Sequence, residues 1–150
     1  MLNGEHSSGG TMKVTVKVKD VMDRNVVSVN SIASVSDAIE KMIKSNVWSL
    51  VVQRRGLPEG VVTERDVIRR CIAKGLMPGK TPVAEIESTP LITVSPDATI
   101  REAMDLMVSK SIRRLFVVDG GRIIGRVTQT ELFENMLGVL ESLSSISTQL

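Results

Sequence analysis

Gly60-Val61-Val62-Thr63-Glu64-Arg65-Asp66 decides the fold, because it returns 65 residues later as Gly125-Arg126-Val127-Thr128-Gln129-Thr130-Glu131. Working outward, the same offset places Val29 on Val94, Ala38 on Ala103, Met42 on Met107, Leu50 on Leu115 and Val52 on Val117, with no gap. An internal repeat sets the building block before any other fold argument. One unit of about 55–60 residues buries too little surface to be comfortable alone. The 150-residue chain supplies two, which can cover each other.

Each copy of the stretch joins a strand to a helix. Val67, Ile68, Cys71 and Ile72 follow the first, and Leu132, Phe133, Met136 and Leu137 follow the second, all at helical spacing. Upstream, Ser49 to Gln53 and Leu115 to Val118 read as strands. Asp119-Gly120-Gly121 is a hairpin signal before a strand from Ile123 to Val127. Further upstream, Ser34-x-x-Asp37 and Thr99-x-x-Glu102 open amphipathic helices. Their apolar positions are Val35, Ala38, Ile39, Met42 and Ile43, matched by Ile100, Ala103, Met104, Met107 and Val108. Val26 to Val29 is a short strand before the first of these. Each copy is therefore strand–helix–strand–strand–helix. Residues 1–12, glycine-rich and polar, read as a disordered tail that contains His6, the only histidine. Repeat 1 takes residues 13–75, a Gly- and Pro-rich linker 76–82, repeat 2 residues 83–137, and an amphipathic end helix 138–150.

Composition narrows the function. Nineteen basic and seventeen acidic residues are mixed along the chain, for a net charge of +2, with no basic block of the kind that marks a nucleic-acid tail. No Tyr, one Trp and two Phe leave no stacking platform for single strands. A lone Cys71 excludes an internal disulfide and suits a reducing compartment, so a cytoplasmic location is expected. No apolar run approaches the ~20 residues needed to span a bilayer, and the first twenty residues lack the apolar centre of a signal peptide. With no histidine outside the tail, neither a Ser-His-Asp nor a Cys-His set can form, and no metal motif is present. Gly75-Leu76-Met77-Pro78-Gly79-Lys80-Thr81 is similar to a phosphate loop, but it is one residue short, no strand precedes it, and Pro82 interrupts the required helix.

The order of these pieces resembles a tandem pair of CBS domains (the cystathionine-β-synthase type), also called a Bateman module. The residues that carry the resemblance are Lys19-Asp20-Val21-Met22, Val26-Val27-Ser28-Val29, Ile112-Arg113-Arg114-Leu115-Phe116-Val117-Val118-Asp119 and Gly60 to Asp66, over about residues 15–137. The resemblance implies a mixed α/β (α+β) fold, two β-α-β-β-α repeats packed with pseudo-two-fold symmetry. It implies a non-catalytic regulatory module of stand-alone type that binds AMP, ADP, ATP or a related adenosyl compound between the repeats. The threonine of Gly-x-x-Thr-x-x-Asp would face phosphate and the aspartate would take the ribose hydroxyls, with the adenine pocket built from the opposite repeat.

Elementary chemistry is compatible with that assignment. Thr63 stands where a strand becomes a helix, and free N–H groups there favour an anion. Asp66 can accept from two ribose hydroxyls, and Gly60 permits close backbone approach. The same spacing in Thr63-x-x-Asp66 and Thr128-x-x-Glu131 also makes a capping box, so both roles stand open. Glu131 replaces the family's aspartate, and two unequal sites are expected. The stronger combines Gly60, Val61, Thr63 and Asp66 with Ala98, Ala103, Ile112 and Arg113. The weaker combines Val127, Thr128 and Glu131 with Ala33, Ala38, Val47, Trp48 and Arg114. Guanidinium suits phosphate, and strand alternation would let only one of Arg113 and Arg114 face a given cleft. The alanines serve equally for tight helix–strand packing. No cofactor is required. The expected partners are an adenine nucleotide, a second copy through exposed helix faces and an effector protein of unknown identity. A ligand-independent dimerising scaffold and a nucleic-acid-binding member of the family are the alternatives.

Overall fold

A computed structural model describes residues 15–147, so the expected tail and His6 lie outside the described residues. The element order is α1 (Val18–Val21), β1 (Ser28–Asn30), α2 (Val35–Ser45), β2 (Ser49–Arg54), β3 (Leu57–Thr63) and α3 (Glu64–Asp66), which continues as a π-helix over Val67–Ile72. After a 3₁₀ turn at Val83–Glu85 come β4 (Thr93–Val94), α4 (Ile100–Lys110), β5 (Arg114–Asp119), β6 (Arg122–Thr128) and α5 (Gln129–Ser147).

The 65-residue offset survives in the hydrogen-bond register. Ser28 pairs with Val51 and Thr93 with Phe116 in the parallel ladders; Leu50 pairs with Val62 and Leu115 with Val127 in the antiparallel ones. Both hairpins break register after the same residue, Val52 and Val117. The helices start as their sequences dictate. The Asp37 N–H donates to Ser34 Oγ at 3.0 Å and the Glu102 N–H to Thr99 Oγ1 at 3.1 Å, each within a capping box. They end on left-handed residues, Asn46 and Ser111. Ala38, Met42, Leu50, Val52 and Val62 form the core of lobe 1; Ala103, Met107, Leu115, Val117 and Val127 form that of lobe 2.

The lobes are not the sequence repeats. Val18 is fully buried in the core of lobe 2, while Val83 and Ile86 are fully buried in the core of lobe 1. Each lobe thus holds the segment that precedes the other repeat. The Val18 N–H donates to Ala98 O and the Val83 N–H to Ala33 O, both at 2.8 Å. Each exchanged side chain contributes about 1.5–3 kcal/mol of burial. Two short backbone pairings tie the exchange: Asp23 with Arg126 at 2.8 and 2.9 Å, and Ser88 with Val61 at 2.8 and 3.0 Å. Residues 15–23, counted by period with repeat 1, therefore pack with lobe 2. Val51 and Phe116 point away from their own cores by strand alternation yet are buried, so the two sheets cover each other.

Other differences are local. The expected second helix of repeat 1 is mostly π-helical, with the Ala73 N–H donating to Ile68 O. The second helix of repeat 2 and the expected end helix are one 19-residue helix, α5. It runs through Gly138 because a lone helical glycine costs only about 1 kcal/mol. The loop that resembles a phosphate loop caps α2 instead: Thr81 O accepts from the Val35 N–H and Pro78 O from the Ser36 N–H. Among the described residues, no helix is long and apolar enough to cross a membrane.

Candidate functional site

Sheet coverage leaves a cleft of about 430 Å³ between the lobes, at the C-terminal end of β3 and the start of β5. Lobe 1 contributes Val61, Thr63, Glu64, Arg65, Asp66 and Ser88. Across from them stand Ile92, Ile112, Arg113, Arg114 and Phe116, with Pro90 and Leu91 at the connection. Both walls mix apolar and charged side chains, acidic and basic on lobe 1 and basic on lobe 2.

Thr63 and Asp66 form a complete capping box. The Thr63 N–H and hydroxyl donate to Asp66 Oδ2 at 2.9 and 3.0 Å, and the Asp66 N–H donates to Thr63 Oγ1 at 3.2 Å. The Asp66 side chain is 13% exposed, and its Oδ1 lies 3.8 Å from Arg70 Nε. Arg70 in turn donates to the carbonyls of Ile86 and Glu87, at 3.2 and 2.9 Å, and so clamps the exchanged segment beside the cleft. The box orients Asp66 and leaves Oδ1 with accepting capacity. It also occupies the Thr63 and Asp66 N–H groups and the Thr63 hydroxyl, three of the donors expected to hold an anion. The Glu64 N–H is taken as well, by Trp48 O at 3.2 Å. Of the first-turn donors only the Arg65 N–H remains, so binding of an anion here depends mainly on side chains.

Those side chains are the arginines. Arg113 and Arg114 both line the cleft. Alternation does not separate them, because Arg113 sits in the turn before β5 and Arg114 is its first residue. Arg114 is half-buried and makes no ion pair or side-chain hydrogen bond among the described residues. Burial lowers its pKa from the ordinary arginine value and repulsion from Arg126 adds to this, against the opposing attraction of the Glu64 and Asp66 carboxylates. A half-buried guanidinium with no direct ion pair, attracted only at longer range by Glu64 and Asp66, has donors to offer an anion.

The structure brings Val61, Thr63, Asp66, Ile112 and Arg113 together in this cleft, and adds Arg114, assigned from sequence to the other site. It does not bring in the alanines. Ala38 and Ala103 are fully buried in their cores, and Ala33 and Ala98 pack against the cores and hold the exchanged segments through their carbonyls. A Cβ on Gly60 would lie 2.5 Å from Ser88 O and 2.8 Å from Glu87 Oε2, so its close approach is to the exchanged segment. Sequence reasoning missed Glu64, Arg65, Ser88, Pro90, Leu91, Ile92, Ser111 and Phe116 in the lining. Ser88 had a signal, since the period places it on Asp23.

At the pseudo-equivalent position, Thr128 and Glu131 form a similar box, with the Thr128 N–H at 2.9 Å from Glu131 Oε2 and its hydroxyl on the same oxygen. There Arg126 Nη2 donates to Asp23 Oδ2 at 3.0 Å. Val47 is buried in the core of lobe 1 and Trp48 is 54% exposed.

The sequence matches the CBS domain family twice, over residues 18–73 and 83–138. The chain belongs to the CBS-domain family. This CBS pair is 34% identical over 120 residues to the CBS domain-containing protein YhcV of Bacillus subtilis, covering 80% of this chain and 85% of that one. It is similar in structure to an uncharacterized conserved protein from Pyrococcus horikoshii, with a TM-score of 0.75, 30% identity, and coverage of 83% of this chain and 95% of the other. A hexameric CBS-CP12 protein from bloom-forming cyanobacteria gives a TM-score of 0.75 at 28% identity, over 80% of this chain and 67% of that one.

Proposed function

We propose that this CBS pair is a regulatory module that binds an adenine nucleotide in the cleft between its lobes and performs no chemistry on it. The observation that carries the reading is Arg114, a half-buried guanidinium without an ion pair, across the cleft from the Thr63–Asp66 box. A phosphate supplies the missing partner through charge-assisted hydrogen bonds. In this reading Val61, Ile112 and Phe116 take the base, Asp66 Oδ1 accepts from the ribose, and Arg113 and Arg114 hold phosphate. The same cations disfavour an S-adenosylmethionine-like ligand, whose sulfonium adds positive charge. That leaves AMP, ADP or ATP. The protein works as a homodimer, in keeping with its exposed apolar helix faces. A ligand held by both lobes changes their relative angle, and an effector protein reads the change. Solution scattering and hydrogen exchange that are identical with and without ligand would sink that last step.

Calorimetry with ATP, ADP, AMP and S-adenosylmethionine tests the binding. Asp66→Ala alone is ambiguous, since it also removes a helix cap worth about 1 kcal/mol. Arg114→Met keeps the box and removes a half-buried charge that has no direct ion pair. Hydrogen bonds to charged groups contribute about 1.5–3 kcal/mol, so affinity should fall about 10- to 100-fold while Tm does not drop. No heat with any ligand, from protein free of carried-over nucleotide, leaves the dimerising scaffold as the better account.

A further inference from the structure

Arg70 stands between the carboxylate that faces the cleft and the exchanged segment of lobe 1. Its Nε lies 3.8 Å from Asp66 Oδ1, and its Nη1 donates to Ile86 O at 3.2 Å and to Glu87 O at 2.9 Å. Arg70 follows Asp66 by four residues, the spacing that puts side chains on one helix face. It lies in the π-helical stretch Val67–Ile72, where lobe 2 has α-helix. The segment it grips runs into the cleft: Ser88 and Val61 exchange hydrogen bonds at 2.8 and 3.0 Å, and both line it. Lobe 2 lacks this device. The 65-residue period places Asn135 on Arg70, and Val21 and Met22 on Ile86 and Glu87. Asn135 carries no charge and makes no side-chain hydrogen bond among the described residues. At that crossing Arg126 holds the Asp23 side chain from the strand instead.

We propose that Arg70 is a positioning residue for the cleft: it holds Asp66 for the ribose and ties that carboxylate to the exchanged segment, so that occupancy is felt at Ile86, Glu87 and Ser88. This rests on the nucleotide reading above and names the side chain that carries its signal. The ion pair is worth little by itself, because the Arg70 side chain is 49% exposed. Its effect comes from its place. The capping box fixes Asp66 through Oδ2, and Arg70 lies beside Oδ1, the oxygen left for the ligand. A carboxylate oxygen accepts from more than one donor, so Oδ1 takes a ribose hydroxyl while Arg70 stays beside it. Coupling of this kind is reciprocal: a nucleotide that steadies the segment binds less tightly once the segment is let go.

Calorimetry and amide hydrogen exchange on Arg70→Met, Arg70→Lys and Arg69→Met test it, with ATP, ADP and AMP as probes. In the wild type, the nucleotide that binds should slow exchange of the Glu87 and Ser88 amides, which donate to Val83 O and Val61 O. Arg70→Met should weaken binding about 2- to 30-fold, the range of residues that couple sites. At saturation its Ser88 amide should gain no protection. Arg70→Lys returns a charge beside Asp66 without the grip on two carbonyls, so affinity should recover while protection does not. Arg69→Met removes the same charge one residue away and should change neither. Binding by Arg70→Met at wild-type strength overturns the positioning role, and a protection gain that survives in it overturns the tie to the segment. Equal losses in Arg69→Met and Arg70→Met overturn both, since net charge alone would then be responsible. No heat from the wild type with any of the three overturns the nucleotide reading, and this proposal with it.

Discussion

Where lobe 1 sets Val61 against Ser88, lobe 2 sets Arg126 against Asp23; where lobe 2 offers Arg113 and Arg114, lobe 1 offers Trp48 and Ser49. The sheets and first helices match to the residue, down to the Ser34 and Thr99 capping boxes and the broken hairpin register. The contents differ. In the first cleft Arg114 makes no ion pair and feels Glu64 and Asp66 only at longer range. In the second, Arg126 is only 14% exposed and is neutralised by Asp23. The Asp23 carboxyl is held below its usual range by the Asn25 N–H and, against the opposing effect of burial, by Arg126. Arg114 is left without a direct ion pair, while Arg126 at the pseudo-equivalent crossing has one within the chain. A duplicated fold can thus keep its scaffold and divide its chemistry.

The two glycines test the scaffold half of that comparison, and should give the largest effect. A methyl on Gly60 meets backbone, Ser88 O at 2.5 Å, together with Glu87 and Thr89 at 2.8 Å. A methyl on Gly125 meets chiefly the flexible end of Met22, with Asp23 O at 3.1 Å. Gly60→Ala should cost about 1–3 kcal/mol by overpacking, and Gly125→Ala less. Urea unfolding of both variants reads the order, and equal costs would show that the two crossings are mechanically alike.

A second difference lies behind Gly60. Glu59 Oε2 and Glu87 Oε2 are both buried and neither has another partner among the described residues, so one shared proton satisfies the pair. Burial pushes Glu87 up to about 7, with Glu59 adding to it, while the bond with Glu87 and the Arg54 guanidinium 2.8 Å away hold Glu59 low. For Glu87 the folded state keeps a proton that the unfolded chain has lost. Its contribution is fully present below about pH 4.5 and is lost as pH rises through about 7. Lobe 2 has Ile124 at the place of Glu59 and Met22 at that of Glu87. Melting temperature followed from pH 5 to pH 8 should fall more steeply for the wild type than for Glu87→Gln. Parallel curves would remove the shared proton from the account.

The repeat, the element order and both capping boxes were legible because each is a local pattern. Ser34-x-x-Asp37 and Thr99-x-x-Glu102 announce their helices in four residues. The exchange of Val18 and Val83 was not legible, since a buried valine reads the same in either core. The cleft was half legible. Thr63 and Asp66 are fixed by spacing, but Arg114 was sent to the wrong cleft because a strand period was extended one residue past the strand. The expectation of free N–H groups at Thr63 was met only in part, at Arg65, for a related reason. The box and the Trp48 carbonyl take the others, and Trp48 is distant in sequence.

The smallest expected effect concerns the second cleft. Asp23→Ser with Arg126→Val gives lobe 2 the Ser–Val pairing of lobe 1. Removing a buried ion pair as a unit is often neutral, whereas Asp23→Ser alone strands Arg126 and should destabilise more than the double change. Nucleotide stoichiometry should remain one per chain in the double variant, because Trp48 and Ser49 still supply no charge for phosphate. Adding Trp48→Arg and Ser49→Arg supplies it, and a second, weaker binding event should then appear in calorimetry. Glu131→Asp on that background shortens the carboxylate to match Asp66 and should tighten the event. Two equal sites in the wild-type protein would break the comparison at its root, since they would mean that the Arg126–Asp23 pair yields to ligand as readily as an open cleft does.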